Sequence, residues 1–135
     1  MASKAYEKGM KTRRKVLGDP WVDLVEKNKT PFNAEFQELL TTYCWDAIWN
    51  RPGLPHKVRR IVVLSITLAM GRWEEFKLHA RAALESGDLS EDELKEVLLQ
   101  AAVYAGVPTA NTGFREAREV LAALAAGKAG AKARR

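Results

Sequence analysis

Apolar residues recur at intervals of three and four positions along nearly the whole chain. This spacing places side chains on one face of an α-helix, whereas a half-buried strand alternates apolar and polar residues. No strand-like alternation of useful length is present. The pattern therefore predicts an all-α protein.

Helix-breaking and capping residues divide this pattern into separate helices. The predicted helices cover approximately residues 5–17, 21–27, 33–49, 55–70, 72–86, 90–105 and 109–126. Ser90 and Glu93 have the spacing of a capping box, in which each side chain bonds the backbone N–H group of the other residue. Gly18 and Gly87 suit the turn that follows a helix.

The helix predicted over 55–70 is the most apolar one. Between Ile61 and Met70 only Ser65 and Thr67 are polar. A helix that is apolar on nearly all sides has to be buried, and a chain of 135 residues has few other elements to cover it. We therefore expect this helix to be buried in an oligomer. The apolar run is about half as long as a bilayer span, so no membrane helix is expected.

Composition and length favour one globular domain, predicted over residues 1–126, followed by a disordered basic tail over 127–135. The net charge of +5 arises from +5 in residues 1–17 and +4 in the tail, which leaves −4 for the rest. No recognition motif or aromatic interleaving accompanies the basic ends, so we expect no specific nucleic-acid binding. The charged N-terminal segment is unlike a signal peptide, which predicts a cytoplasmic location.

The cysteine and histidine content limits the possible chemistry. Cys44 is the single cysteine, so an intrachain disulfide and a C-x-x-C pair are both excluded. The two histidines and this cysteine show none of the usual metal-ligand spacings. We therefore expect no bound metal.

The helix predicted over 72–86 carries the candidate catalytic residues. Its apolar stripe consists of Trp73, Phe76, Ala80, Ala83 and Leu84. At about 100° per residue, Arg72, Glu75 and His79 line one edge of this stripe. Glu75 and His79 are four residues apart, and a carboxylate beside an imidazole raises its proton affinity and fixes its orientation, as a general acid requires. The alternative is a surface ion cluster with a half-buried histidine.

Other residues are candidates for substrate binding. Arg59, Arg60 and Arg14 can offer cationic forks to a carboxylate, or they can be solvated helix-end residues or intersubunit ion pairs. Trp45 can form the wall of a pocket or fill the core. Tyr104 flanks the next helix break, where free backbone groups can be shared with a ligand or simply capped.

Several stretches of the chain carry a family resemblance. They are Tyr6–Met10, Arg13–Asp19, Thr30–Phe32, Trp45–Leu54, Leu78–Leu84 and Glu93–Asn111. Together they span about residues 5–122. In these sequence stretches the chain resembles the 4-carboxymuconolactone decarboxylases, which belong to the carboxymuconolactone decarboxylase and alkylhydroperoxidase D-like superfamily.

The resemblance implies an alkylhydroperoxidase D-like helical bundle that assembles as a homohexamer. It also implies a cofactor-free reaction in protocatechuate catabolism, in which 4-carboxymuconolactone, a lactone dicarboxylate, loses CO₂ to give the β-ketoadipate enol-lactone. The peroxidase branch of the superfamily carries C-x-x-C-x-x-x-H on the matching helix. Here these positions hold Arg72, Glu75 and His79, so the two thiols are missing and a thiol peroxidase activity is excluded.

The chemistry of this reaction suggests roles for residues on this helix and the one before it. His79 is expected to donate a proton or a hydrogen bond to the developing oxyanion, oriented by Glu75. Arg72 and either Arg59 or Arg60 are expected to hold carboxylates.

The remaining expectations concern the rest of the pocket. The cations should hold the retained acetate arm, since gripping the leaving carboxylate would stabilise the ground state. Arg14 could reach the pocket from a neighbouring subunit. Trp45 or Ile66 could form the apolar wall of the pocket beside the departing CO₂. Two alternatives stay open: a non-catalytic helical oligomer that acts as a scaffold, and the same fold acting on another unsaturated lactone or β-keto acid.

Overall fold

The computed structural model describes residues 2–133, which form α-helices joined by short turns, with one π-helical segment. The elements are α1 Lys4–Leu17, α2 Asp19–Lys27, α3 Ala34–Leu40, the π-helical segment Thr41–Ile48, α4 His56–Met70, α5 Trp73–Ser86, α6 Glu91–Tyr104 and α7 Val107–Ala133. No strand occurs among the described residues, which confirms the all-α prediction.

The chain separates into two compact units, Met1–Arg59 and Arg60–Arg135. The boundary falls within α4, between two consecutive arginines. The sequence predicted a single domain over 1–126. The single domain over these residues stays a prediction.

In the first unit, α1 packs closely against the π-helical segment. A Cβ atom at Gly9 would collide with the backbone carbonyl oxygen of Thr41, so the close approach of the two helices requires a glycine. Thr12 Oγ1 donates a hydrogen bond to Asn50 Oδ1 at 2.6 Å. Ser3 caps α1 by accepting from the Tyr6 N–H group at 3.1 Å.

The π-helical segment replaces part of what the sequence predicted as one α-helix over 33–49. Within it, the hydroxyls of Thr41 and Thr42 bond the carbonyl oxygens of Gln37 and Glu38 at 2.6 and 3.2 Å. The prediction of one α-helix is wrong here, because the spacing of apolar residues does not distinguish a local change from α-helical to π-helical hydrogen bonding.

The core of the second unit is formed by α4, α5, α6 and α7. Its buried residues are Leu64, Leu68, Phe76, Ala80, Ala83, Leu89, Leu94, Val97, Leu98 and Ala117. Trp73 packs edge-on against Phe76, with ring centroids 5.6 Å apart. Lys77 and Glu119 link α5 to α7 through an ion pair of 2.9 Å.

Helix α4 is only partly buried in the described chain. Leu64 and Leu68 are fully buried, whereas Val62, Ile66 and Met70 are exposed. The sequence predicted burial on nearly all sides, but one chain covers only one face of this helix. Burial of the exposed face in an oligomer stays a prediction. No helix among the described residues combines the length and the apolar character needed to cross a membrane.

The turn predictions are confirmed at three places. Ser90 Oγ accepts from the Glu93 N–H group and Glu93 Oε1 accepts from the Ser90 N–H group, both at 3.1 Å. Gly18 and Gly87 follow their helices with φ angles of 91° and 81°. These conformations favour glycine, because it has no Cβ atom.

The last helix is longer than the sequence predicted. It begins at Val107 and continues to Ala133, beyond the expected end near Ala126. Residues 127–133 of the predicted disordered tail are therefore helical, and residues 134 and 135 lie outside the described residues. Alanine and lysine have high helix propensity, which extends the helix despite the glycines.

Candidate active site

His79 lies in the middle of α5, on its buried face. It is 9% exposed and follows the apolar stripe that the sequence predicted, of which Phe76, Ala80 and Ala83 are buried. Glu75 lies one turn earlier and is exposed, as is Arg72 at the N-terminal end of α5. The imidazole is therefore an interior group, and its two predicted partners lie at the surface.

Arg60 of α4 is the positively charged group that the structure brings near His79. Its side chain is 1% exposed, and its Nε atom donates a hydrogen bond to Asp88 Oδ2 at 2.8 Å. Asp88 lies in the turn between α5 and α6. This ion pair joins residues 28 positions apart in the sequence.

The electrostatic environment keeps His79 uncharged at neutral pH. Burial, together with the positive charge of Arg60, lowers the pKa of His79 from its ordinary value of 6.5 to about 4, although Glu75 acts in the opposite direction. The sequence predicted that Glu75 would raise the proton affinity of the imidazole. Glu75 does act in this direction, but burial and Arg60 outweigh it, so the pKa of His79 is lower than that of a free imidazole.

A neutral imidazole has one nitrogen that donates a hydrogen bond and one that accepts. At neutral pH it can therefore polarise a carbonyl oxygen without carrying a charge of its own. It is a poor general acid at neutral pH, because little of the ring is in the cationic form when the pH is well above its pKa of about 4.

Tyr104 lies elsewhere in the second unit. It is 84% exposed and lines a cavity of about 640 Å³ between α4 and α6, together with Ile61 and Ser65. Glu93 and Glu96 also line this cavity. Two carboxylates disfavour a doubly negative ligand, so this cavity is poorly suited to a lactone dicarboxylate.

A second cavity, of about 370 Å³, lies between α6 and α7. Its lining includes Lys95, Arg115 and Arg118, together with Glu91 and Asp92. The charges of both signs offset one another, and His79 lines neither of these two cavities.

The predicted cationic residues of the first unit have partners of their own. Arg14 is at the surface, where its Nη1 atom lies 3.0 Å from Asp19 and 2.8 Å from Asp23. Arg59 donates from Nη2 to the carbonyl oxygen of Arg51 at 3.1 Å. Within the described chain, the buried Nε atom of Arg59 makes no hydrogen bond, so this N–H group can still donate to a carboxylate.

Trp45 belongs to the aromatic core of the first unit. It is buried and stacks on Trp49 with ring centroids 5.3 Å apart. Trp49 in turn packs edge-on against His56, whose Nε2 atom lies 3.1 Å from the Trp49 carbonyl oxygen. Of the two interpretations from the sequence, filling the core agrees with this packing.

Sequence analysis missed Arg13, which is buried although its neighbour Arg14 is not. Arg13 is 5% exposed. Burial lowers its pKa, and Glu26, Tyr6 and Cys44 raise it. A signal was present, because Arg13 shares a face of α1 with Gly9 and with the buried Val16 and Leu17.

Neither the cysteine thiol nor a group of metal ligands provides a further candidate site in the described residues. Burial raises the pKa of the Cys44 thiol, and Arg13 lowers it. Since the thiolate is the reactive form, this cysteine lacks the environment of a nucleophile. In residues 2–133, no three His, Cys, Asp or Glu side chains are grouped as metal ligands.

Comparisons with known proteins agree with the resemblance seen in the sequence. Residues 34–119 match the model of the carboxymuconolactone decarboxylase family. The chain is 38% identical over 115 residues to a 4-carboxymuconolactone decarboxylase of Acinetobacter baylyi, which covers 85% of each chain. It is 39% identical over 104 residues to a nitrosuccinic acid decarboxylase of Metarhizium robertsii, which covers 77% of this chain and 72% of the relative.

A third relative is shorter. A 4-carboxymuconolactone decarboxylase sequence of Pseudomonas putida is 48% identical over 42 residues, which is 30% of this chain and 88% of the relative. The family model covers more than half of the chain, and the Acinetobacter relative matches most of it. The chain therefore belongs to the carboxymuconolactone decarboxylase family.

Proposed function

We propose that the protein decarboxylates 4-carboxymuconolactone to the β-ketoadipate enol-lactone and CO₂ without a cofactor. Family membership and the relative of that name in Acinetobacter baylyi support a decarboxylase. The observation that carries the proposal is the buried imidazole of His79 near the positive charge of Arg60.

The substrate supplies its own electron sink. Its departing carboxylate is attached to a ring carbon that is conjugated through a C=C bond to the lactone carbonyl. When the C–C bond breaks, the electron pair moves into the ring and negative charge develops on the carbonyl oxygen, giving a dienolate. The carbon alpha to the carbonyl then takes a proton. The protein has to stabilise the oxyanion and allow this proton transfer.

His79 is suited to hydrogen bonding the developing oxyanion. Burial and Arg60 keep the ring uncharged at neutral pH, so it offers one N–H donor without a positive charge of its own. An imidazolium would attract the leaving carboxylate and stabilise the ground state, which slows decarboxylation. A neutral donor has its largest effect only as charge develops on the carbonyl oxygen.

Protonation of the dienolate calls for a relay. A neutral imidazole can pass on its N–H proton only if its other nitrogen receives a proton, from water for example. His79 therefore serves as a relay in this proposal, with Glu75 favouring the transient positive charge.

Arg60 contributes electrostatically from the interior of the unit. Its guanidinium is held by Asp88 and is close enough to act on His79. A fixed positive charge in a site of low dielectric stabilises an oxyanion more than the same charge does in water. The roles predicted for Arg72, Arg59, Arg14, Trp45 and Tyr104 in substrate binding stay predictions.

A second candidate substrate is another dicarboxylate whose carbanion is stabilised by a neighbouring acceptor group. The relative in Metarhizium robertsii, named a nitrosuccinic acid decarboxylase, favours this alternative. A neutral hydrogen-bond donor can stabilise the negative oxygen of a nitronate as well as that of an enolate.

We also propose that the protein functions as a homo-oligomer, with a hexamer as the predicted form. The exposed apolar residues Val62, Ile66 and Met70 of α4 support such an interface. The cytoplasm stays the predicted location.

The loss of ultraviolet absorbance of the lactone tests the proposal directly. Purified protein should consume 4-carboxymuconolactone with release of one CO₂ per lactone, and it should do so after treatment with a chelator. Nitrosuccinate is assayed in parallel. Turnover of nitrosuccinate alone would replace the proposed substrate by the second candidate, and no turnover of either compound would favour the scaffold alternative.

A further inference from the structure

We propose that Asp88 is a positioning residue whose carboxylate fixes the Arg60 guanidinium in the interior of the second unit, near His79. The inference rests on the proposed function only where it concerns catalysis. Its structural part concerns three side chains: Arg60 of α4, His79 of α5 and Asp88 of the turn between α5 and α6.

The ion pair is buried at one end only. The Arg60 side chain is 1% exposed and that of Asp88 is 40% exposed, with 2.8 Å between Nε and Oδ2. A buried guanidinium is costly unless an anion and hydrogen-bond acceptors face it. Asp88 supplies the anion from the surface, so the arginine can extend inward with its charge balanced.

The turn that carries Asp88 is fixed on both sides. Gly87 before it adopts a left-handed conformation with φ 81°, and Leu89 after it is 2% exposed in the core. The N–H group of Asp88 donates to Ser86 Oγ at 3.1 Å, and Ser86 Oγ donates in turn to the Ala83 carbonyl oxygen at 2.9 Å. The carboxylate therefore projects from an anchored backbone.

The charges that act on His79 come from two helices. Arg60 of α4 disfavours the imidazolium, and Glu75 of α5 favours it. Asp88 acts on the imidazole through Arg60, because it determines where the guanidinium lies. If the carboxylate is removed, we expect the guanidinium to move toward water and its effect on His79 to weaken.

The chain offers a matched control on α5 itself. Arg81 and Glu85 form an ion pair with the same separation, 2.8 Å, but both side chains are largely exposed. Removing the charge of Glu85 tests whether any lost ion pair on this helix affects His79, since exposed pairs are screened by solvent.

An NMR pH titration of the histidine rings tests the proposal on the full-length protein. The variants are Asp88→Ala, Arg60→Met, the double variant and Glu85→Gln, and His56→Gln assigns the two histidine signals. We expect the pKa of His79 to rise by at least half a unit in Asp88→Ala and in Arg60→Met, because an adjacent charge typically shifts a pKa by one unit or more. Glu85→Gln should leave the pKa unchanged.

The double variant separates an effect through Arg60 from a direct one. If Asp88 acts through Arg60, adding Asp88→Ala to Arg60→Met should produce no further shift. An unchanged or lower His79 pKa in Asp88→Ala would overturn the proposal, and so would a shift of full size that persists in the Arg60→Met background.

A second variant and a kinetic measurement complete the test. Asp88→Asn keeps the size of the side chain and should shift His79 in the same direction if Asp88→Ala does not fold. In the lactone assay, the acid limb of kcat should move to higher pH in parallel with the measured His79 pKa. If wild-type protein does not turn over the lactone, the proposed function fails, while the titration still decides whether Asp88 positions Arg60.

Discussion

Among the described residues, each unit of the molecule has one buried arginine, and the two arginines have different surroundings. Arg60 in the second unit has the carboxylate of Asp88 at 2.8 Å. Arg13 in the first unit has two nitrogen atoms, Nε and Nη1, that are buried without a hydrogen-bond partner in the described chain. A buried guanidinium is therefore not by itself evidence of a functional site. The second unit differs in having a fixed counter-ion and an imidazole close by.

The comparison also separates two effects of burial on charge. In Arg13, burial lowers the pKa, and Glu26 opposes this from the other side. In His79, burial and the charge of Arg60 act in the same direction, so the pKa falls to about 4. The ordinary pKa of an arginine lies so far above 7 that burial leaves Arg13 charged, whereas that of a histidine lies close to 7, so the same kind of burial strongly favours the neutral ring of His79.

The largest expected effect is on turnover. His79→Gln should lower kcat for the lactone by about 10²- to 10³-fold, because it removes the imidazole from the developing oxyanion. His56→Gln, which changes the other histidine, should stay within about threefold of wild type by the same estimate. A loss of less than about threefold in His79→Gln would exclude His79 from the chemistry.

The next effect is on stability in acid. The folded-state pKa of His79 is lowered from 6.5 to about 4, so the unfolded chain binds the proton more tightly. Stability is therefore present above pH 6.5 and is lost as the pH falls toward 4, by about 3 kcal/mol in total. Urea unfolding at several pH values measures this slope. His79→Gln should flatten it, and an equal slope in that variant would assign it to other groups.

A smaller effect is expected from breaking the ion pair of the second unit. Asp88→Asn should lower the free energy of unfolding by about 2 kcal/mol, since a buried guanidinium loses its anion. Glu85→Gln is the matched control, because Glu85 lies the same 2.8 Å from the exposed Arg81. Its cost should be below about 1 kcal/mol. Equal costs in urea unfolding would contradict the role assigned to burial.

The smallest effect, with the opposite sign, is expected at Arg13. Arg13→Met should leave stability unchanged or raise it by up to about 1 kcal/mol, because it removes buried nitrogen atoms that lack acceptors. Thermal unfolding of this variant beside Arg60→Met measures the contrast. A loss of more than about 2 kcal/mol would indicate that Arg13 makes a stabilising interaction after all.

Much of the helical pattern was predictable from local signals. The capping box of Ser90 and Glu93 and the turn at Gly87 depend on neighbouring residues only, so the sequence locates both. The π-helical segment was not predictable, because the spacing of apolar residues over Thr41–Ile48 is compatible with an ordinary α-helix. The extension of α7 was missed because glycines were weighted above the alanines and lysines around them.

The candidate site was only partly predictable. Spacing on α5 brought His79 and Glu75 to one side of a helix, and the charge of Glu75 does act on the imidazole. Spacing did not reveal Asp88, because its partner Arg60 lies 28 residues earlier on a different helix. Spacing also could not give the protonation state of His79, since desolvation depends on everything that packs around a group.

The sequence by itself determined the helical fold class, the family resemblance and the histidine at the centre of the candidate site. These follow from periodicity and from short motifs, which are local properties of the chain. Only the tertiary structure decided that Arg60 lies inside with Asp88 as its counter-ion, that Arg14 lies outside, and that His79 is neutral. Burial and long-range electrostatics control these three outcomes, and both arise only when distant segments pack together.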